Sequence, residues 1–113
     1  MMDTHIKERW VRALRSGRYE QIDGTLRLAK PEGGYAYCCL GVLVDIVPDT
    51  KWYKVATTDT YGYEYGAEST PAILGPLLRA CVGLDVLTMN KLINMNDNGD
   101  PFPVIADYIE TIA

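Results

Sequence analysis

Apolar residues recur at helical spacing near the start of the chain: Ile6, Trp10, Ala13 and Leu14 share one face of residues 4–16, with Lys7, Arg12 and Arg15 on the other. Asp3 or Thr4 supplies the N-cap of this predicted helix, and Gly17 its C-terminal stop. The period then changes. Residues 25–29 alternate as Thr-Leu-Arg-Leu-Ala, Lys30-Pro31-Glu32-Gly33-Gly34 carries turn chemistry, and Tyr35-Ala36-Tyr37-Cys38 reads as the return strand of a β-hairpin. In residues 39–47, Leu40, Leu43, Val44 and Val47 return to helical spacing. A buried strand is the alternative there. Gly41 costs a helix about 1 kcal/mol relative to Ala, so its presence in a short buried helix implies close packing at that position. Pro48 ends the segment.

Residues 51–69 are rich in Thr, Tyr and Gly and predict short strands or an ordered loop, with Tyr61, Tyr63 and Tyr65 on one face if extended. Thr70-Pro71 is a cap followed by proline at a first helical position. Ile73, Leu74, Leu77, Leu78 and Cys81 carry an apolar stripe to Gly83, bent or restarted at Pro76. A further helix is predicted over 88–96, with Met89, Leu92 and Ile93 inward, followed by a tight turn at Asn96-Asp97-Asn98-Gly99. Asp100-Pro101 caps a last helix whose inner face is Phe102, Ile105, Ala106, Ile109 and Ile112. The expected fold is α+β: one small domain over 1–113, about four helices packed with a β-hairpin or small antiparallel sheet.

Composition narrows the class. Apolar residues make up 48% of the chain and charged residues 23%, as in a folded globule. No run approaches the roughly 18–20 apolar residues of a membrane span, and the start of the chain does not read as a secretory signal. Cys38 and Cys39 are adjacent and Cys81 is the third cysteine, a pattern unsuited to a disulfide framework; a reducing, cytoplasmic setting is expected. The net charge of −4 hides an asymmetry: residues 1–30 hold seven Lys/Arg against four acids, and the remainder four against eleven. The whole is too acidic for a generic nucleic-acid binder, although its basic end suits a local anion.

Candidate chemistry is sparse. Cys38 and Cys39 at a helix N-terminus are candidate nucleophiles, since the helix dipole and free N–H groups favour thiolate. The only histidine, His5, is far off in sequence, and free cysteines are commonly small buried hydrophobes. No metal or cofactor is implied: Cys-Cys lacks zinc spacing. Asn94-x-Asn96-x-Asn98-Gly99 opens like a calcium loop but has Ile105 where a bidentate Glu belongs. The last two helices resemble a helix-turn-helix only in order, because the final one carries Asp107 and Glu110 and no basic residue; sequence-specific DNA binding is not expected. The tyrosine row Tyr61, Tyr63 and Tyr65, with Trp52 and Tyr53 nearby, fits equally a core-packed sheet face, a recognition surface or a dimer contact.

Three blocks stand out together: Trp10-Val11-x-Ala13-Leu14-Arg15-Ser16-Gly17-x-Tyr19-x-Gln21, then Tyr37-Cys38-Cys39-Leu40-Gly41-Val42-Leu43-x-Asp45, then Met95-Asn96-Asp97 with Phe102-x-x-Ile105-Ala106-Asp107-x-Ile109-Glu110. With these blocks the chain resembles a set of small uncharacterised proteins of tailed phages and prophages; residues 48–86 match poorly. No site residues carry over. The resemblance implies a phage accessory product in a bacterial host cytoplasm, of a kind that binds a host protein or a signalling nucleotide and so blunts host defence. It equally allows that the blocks are core and cap positions that specify the fold.

The expected function is therefore a non-enzymatic binding protein that holds a host macromolecule through Tyr61, Tyr63 and Tyr65, with Trp52, Tyr53, Arg12, Arg15 and Arg18. The alternative ligand is a small nucleotide, with arginines on phosphate and tyrosines on base. A third possibility is a thiol enzyme using Cys38 or Cys39.

Overall fold

The first amphipathic stripe forms α1 (Thr4–Arg15), capped by Asp3, whose carboxylate accepts from the Ile6 N–H at 2.9 Å. The computed structural model describes residues 1–112. After α1 come β1 (Glu20–Gln21), β2 (Arg27–Ala29), β3 (Tyr35–Tyr37), α2 (Cys39–Ile46), β4 (Thr50–Lys54), β5 (Thr60–Tyr65), β6 (Glu68–Thr70), α3 (Pro76–Val82), α4 (Val86–Asp97) and α5 (Phe102–Glu110). The architecture is α+β as expected, with five helices among the described residues rather than about four. The expected hairpin is β2–β3, within a mixed sheet of order β1-β3-β2-β5-β4. β1 pairs with β3 in parallel and every other pairing is antiparallel; β2 and β6 share one edge of β5, at its start and its end.

α2 is the centre of the core. Cys39, Leu40, Gly41, Val42, Leu43 and Val44 are all buried, so this helix has no solvent face over its first two turns. It packs on α1, α4 and β3, and α5 closes over α1 and α4. Trp10 and Ile109, from opposite ends of the chain, are both fully buried in this one core. Gly41 is required by a close approach: a Cβ there would lie 1.9 Å from the Leu26 carbonyl oxygen.

The three sequence blocks meet in space and bond to one another. The Trp10 indole N–H donates to the Cys39 carbonyl at 2.9 Å. Arg15 reaches Asp107 and Glu110 on α5, each at 2.6 Å. The Gln21 amide donates to the Asp100 carbonyl (2.7 Å) and accepts from the Phe102 N–H (3.0 Å). Asn96, buried at 3% exposure, accepts from the Cys39 N–H at 3.0 Å and donates to the Ile22 carbonyl at 2.7 Å. It thereby satisfies one of the free N–H groups of the first turn of α2 from a different helix. These contacts favour the fold-specifying account of the blocks.

The segment around residue 70 departs from expectation. Thr70 and Pro71 do not start a helix: Thr70 sits in the β6 ladder opposite Tyr63, and Pro71 lies against Gly62. α3 begins at Pro76 after Gly75. Its capping is done by Glu68 of β6, whose carboxylate accepts from the Leu77 and Leu78 N–H groups at 2.7 and 3.2 Å. The later start rotates the apolar stripe, so Leu74, Leu78 and Val82 are buried while Ile73, Leu77 and Cys81 are exposed. At the last turn, Asn96 and Asp97 belong to α4, and Pro101 rather than Asp100 occupies the N-cap of α5, with no side-chain cap bond.

Candidate functional site

The β-sheet register gathers aromatic side chains that are distant in sequence. Arg27 of β2 stands opposite both Tyr37 of β3 and Tyr61 of β5. Residues directly paired across strands share a face, so these rings flank the guanidinium. Its Cζ lies 3.8 Å from the Tyr35 ring centre, 4.2 Å from Tyr61 and 4.6 Å from Trp52. Tyr35 and Tyr61 meet edge-on at 5.5 Å, Tyr37 and Trp52 at 6.2 Å, and Tyr19 and Tyr37 at 4.9 Å. Asp45, at the end of α2, ties the cluster down: it accepts from the Tyr19 hydroxyl at 2.7 Å and the Trp52 indole at 3.1 Å. Burial and then the Asp45 carboxylate push the Tyr19 hydroxyl well above the usual phenol range, and the same pair of causes raises Tyr37. Both phenols stay protonated at neutral pH, and Tyr19 donates to Asp45.

Beside this cluster α1 ends. Gly17 turns the chain in the left-handed region (φ 76°) and delivers Arg18 and Tyr19 next to the last turns of α1. A cleft of about 520 Å³ opens there, lined by Arg9, Arg12, Arg18, Tyr19 and Ile46 among others. A second, of about 630 Å³, is lined by Arg18, Tyr19, Lys30, Tyr35 and Tyr37 among others. The two share Arg18 and Tyr19 and so form one concave band. Arg9, Arg12 and Arg18 make no ion pair among the described residues, whereas Lys30 pairs with Glu20 at 3.0 Å. A third groove, of about 730 Å³, runs between α1 and α5, but there Arg15 is already neutralised by Glu110 and Asp107.

The expected site residues thus divide. Arg12 and Arg18 lie on the band; Arg15 does not, because α5 supplies its two carboxylate partners. Tyr61 and Trp52 pack on Arg27. Tyr63 is fully buried, its hydroxyl donating to Glu68 at 2.7 Å and accepting from the Gly75 N–H at 3.0 Å. Tyr65 is half-buried with its hydroxyl on Cys81. Tyr53 pairs opposite Gly62, one register step away from the row and therefore on the other face. The row is split between core and surface because Glu68 of β6 and the Gly75 N–H before α3 hold the Tyr63 hydroxyl inside. Sequence reasoning missed Arg9, Tyr19, Arg27, Tyr35 and Tyr37. The Tyr-x-Tyr of residues 35–37 was a legible signal; Arg27 was hidden, since its partners come from three other strands.

Cys38 and Cys39 are not set up as nucleophiles. Burial pushes the Cys38 thiol up to about 11 and Cys39 well above its ordinary value, outweighing the lowering by N–H groups at the start of α2. The adjoining cleft is only about 160 Å³ and offers Asn96 and Asp97 but no histidine or lysine. Asn94 and Asn96 are helical, so the calcium-like spacing forms no loop, and among the described residues no three His, Cys, Asp or Glu side chains converge on a metal position. Among the described residues no helix is long and apolar enough to cross a membrane.

A family model, a domain of unknown function, matches residues 2–113. The chain belongs to the DUF8296 family. No match was found among curated proteins or among solved structures.

Proposed function

We propose that this protein is a non-enzymatic binding protein that holds an acidic surface of a host macromolecule against the band formed by Arg9, Arg12, Arg18, Tyr19, Tyr35 and Tyr37. The observation that carries the proposal is the junction of the two clefts at Arg18 and Tyr19: Arg9, Arg12 and Arg18, without ion pairs among the described residues, line the first, and Arg18 with Tyr19, Tyr35 and Tyr37 lines the second. Like charges held close without counter-charge are costly, and a partner's carboxylates relieve them. Arg and Tyr are also the residue types that dominate binding energy at protein interfaces. An open, continuous band suits an extended protein surface better than a small enclosed substrate. The resemblance to tailed-phage products supports a partner from the infected bacterial cell, with a component of host defence as the expected class.

The test is affinity capture from host lysate with the wild-type chain, the Arg12→Glu/Arg18→Glu double variant and Lys51→Glu, an exposed charge on the opposite sheet face. The expected result is one stoichiometric partner recovered by the wild type and by Lys51→Glu, lost with the double variant and weakened by salt. Retention of that partner by a folded double variant refutes the proposal.

A further inference from the structure

Four neighbouring strands place one residue each in a row across the sheet: Tyr37, Arg27, Tyr61 and Lys54, through the register pairs Arg27 with Tyr37, Arg27 with Tyr61, and Lys54 with Tyr61. Aromatic and cationic groups therefore alternate along one face. Arg27 is the unusual member. It is only 9% exposed, and it forms no ion pair among the described residues. The rings of Tyr35, Tyr61 and Trp52 pack on its guanidinium. Ring faces attract the cation but give its N–H donors at best a weak acceptor. Its Nε is shielded from solvent and has no hydrogen-bond partner.

A guanidinium held among aromatic rings, with its Nε unpaired, is preorganised for an oxyanion. Two neighbours specify which kind. Tyr35, whose ring lies on Arg27, is 41% exposed and offers a flat apolar surface next to the charge. Lys54, exposed on the far side of Tyr61, supplies a second positive charge on the same face. A simple carboxylate uses only the guanidinium; a ligand with a flat ring joined to a multiply charged oxyanion uses all three. We propose that Arg27 is the phosphate anchor of a nucleotide-binding site, with Tyr35 stacking on the base and Lys54 balancing the remaining phosphate charge. This goes beyond the partner surface described above and does not depend on it.

The experiment is an NMR titration of the full-length chain with AMP, GMP, CMP and UMP, following the Arg27 Nε–Hε and Tyr35 ring resonances, with adenosine and orthophosphate as separate arms. At least one nucleotide is expected to move both resonances along one saturating curve, with the nucleoside and orthophosphate each about ten-fold weaker or more. Arg27→Lys, which removes the planar fork, is expected to weaken binding about ten-fold or more. Tyr35→Leu, at an exposed ring, is expected to keep the fold and cost about ten-fold from lost stacking. An Arg27 resonance unmoved by all four nucleotides at millimolar concentration overturns the proposal. So does orthophosphate binding as tightly as the best nucleotide, or a folded Tyr35→Leu variant with unchanged affinity. Retention of the partner by the folded Arg12/Arg18 variant with this titration intact refutes the partner surface alone, and loss of the partner in that variant with Arg27 unmoved by every nucleotide refutes the nucleotide site alone.

Discussion

Replacing Asn96 by Ala removes a side chain that bonds three parts of the fold at once. Its carbonyl accepts from the Cys39 N–H at 3.0 Å and from the Gln21 amide at 3.2 Å, and its amide donates to the Ile22 carbonyl at 2.7 Å. A hydrogen bond contributes about 1 kcal/mol net, and each buried partner left unpaired adds roughly 1–3 kcal/mol. The Cys39 N–H lies at the start of the buried helix α2, and its bond to Asn96 is buried. The sum is a loss of about 3–4 kcal/mol, a large share of the stability of a domain this size. Urea unfolding followed by tryptophan fluorescence reads it: with a slope of about 1.5–2 kcal/mol per molar, the midpoint falls by about 2 M. Asn96→Asp separates the two ends of the amide, because it keeps an acceptor for Cys39 while turning a negative oxygen toward the Ile22 carbonyl. It is expected to be destabilised comparably. A midpoint shift corresponding to less than about 1 kcal/mol in Asn96→Ala would refute the view that this residue joins the sequence blocks.

Gly41→Ala is expected to cost about 3 kcal/mol by the same assay despite the better helix propensity of Ala, because the new Cβ meets the Leu26 carbonyl, a backbone group that cannot swing away. Tyr63→Phe leaves the Gly75 N–H without a partner and removes one donor from Glu68, which keeps the Leu77 and Leu78 N–H groups; it should lower stability by about 2 kcal/mol while leaving partner capture unchanged. Native-state iodoacetamide labelling at pH 8 should modify the exposed Cys81 well before Cys38 and Cys39, whose thiols burial keeps protonated; fast labelling of Cys38 contradicts this. The same shifts predict alkaline sensitivity. Between the ordinary thiol value of 9.0 and about 11 for Cys38, the native state holds protons that the unfolded chain has lost, so stability falls as pH rises through that window. The raised hydroxyls of Tyr19, Tyr37 and Tyr63 act in the same direction above pH 10, and a urea midpoint equal at pH 8 and pH 10.5 would rule this out.

The sequence by itself determined the elements whose signals are local. Apolar period, caps and turn residues sufficed for α1, the β2–β3 hairpin, α2, α4 and α5, because each buries a stripe spaced by its own geometry. It also carried the close packing at Gly41, since a glycine inside an apolar helix has few other uses. Only the tertiary structure decided where α3 begins, because its cap is a carboxylate from a neighbouring strand and Thr70 is held in a ladder. It also decided which arginines are available: Arg15 is neutralised by carboxylates ninety-odd positions away in sequence, whereas Arg12 and Arg18 are left facing a cleft. The ring of side chains around Arg27 belongs to the same class. Its members come from β2, β3, β4 and β5, and strand register, a long-range quantity fixed by how the faces are buried, is what brings them together.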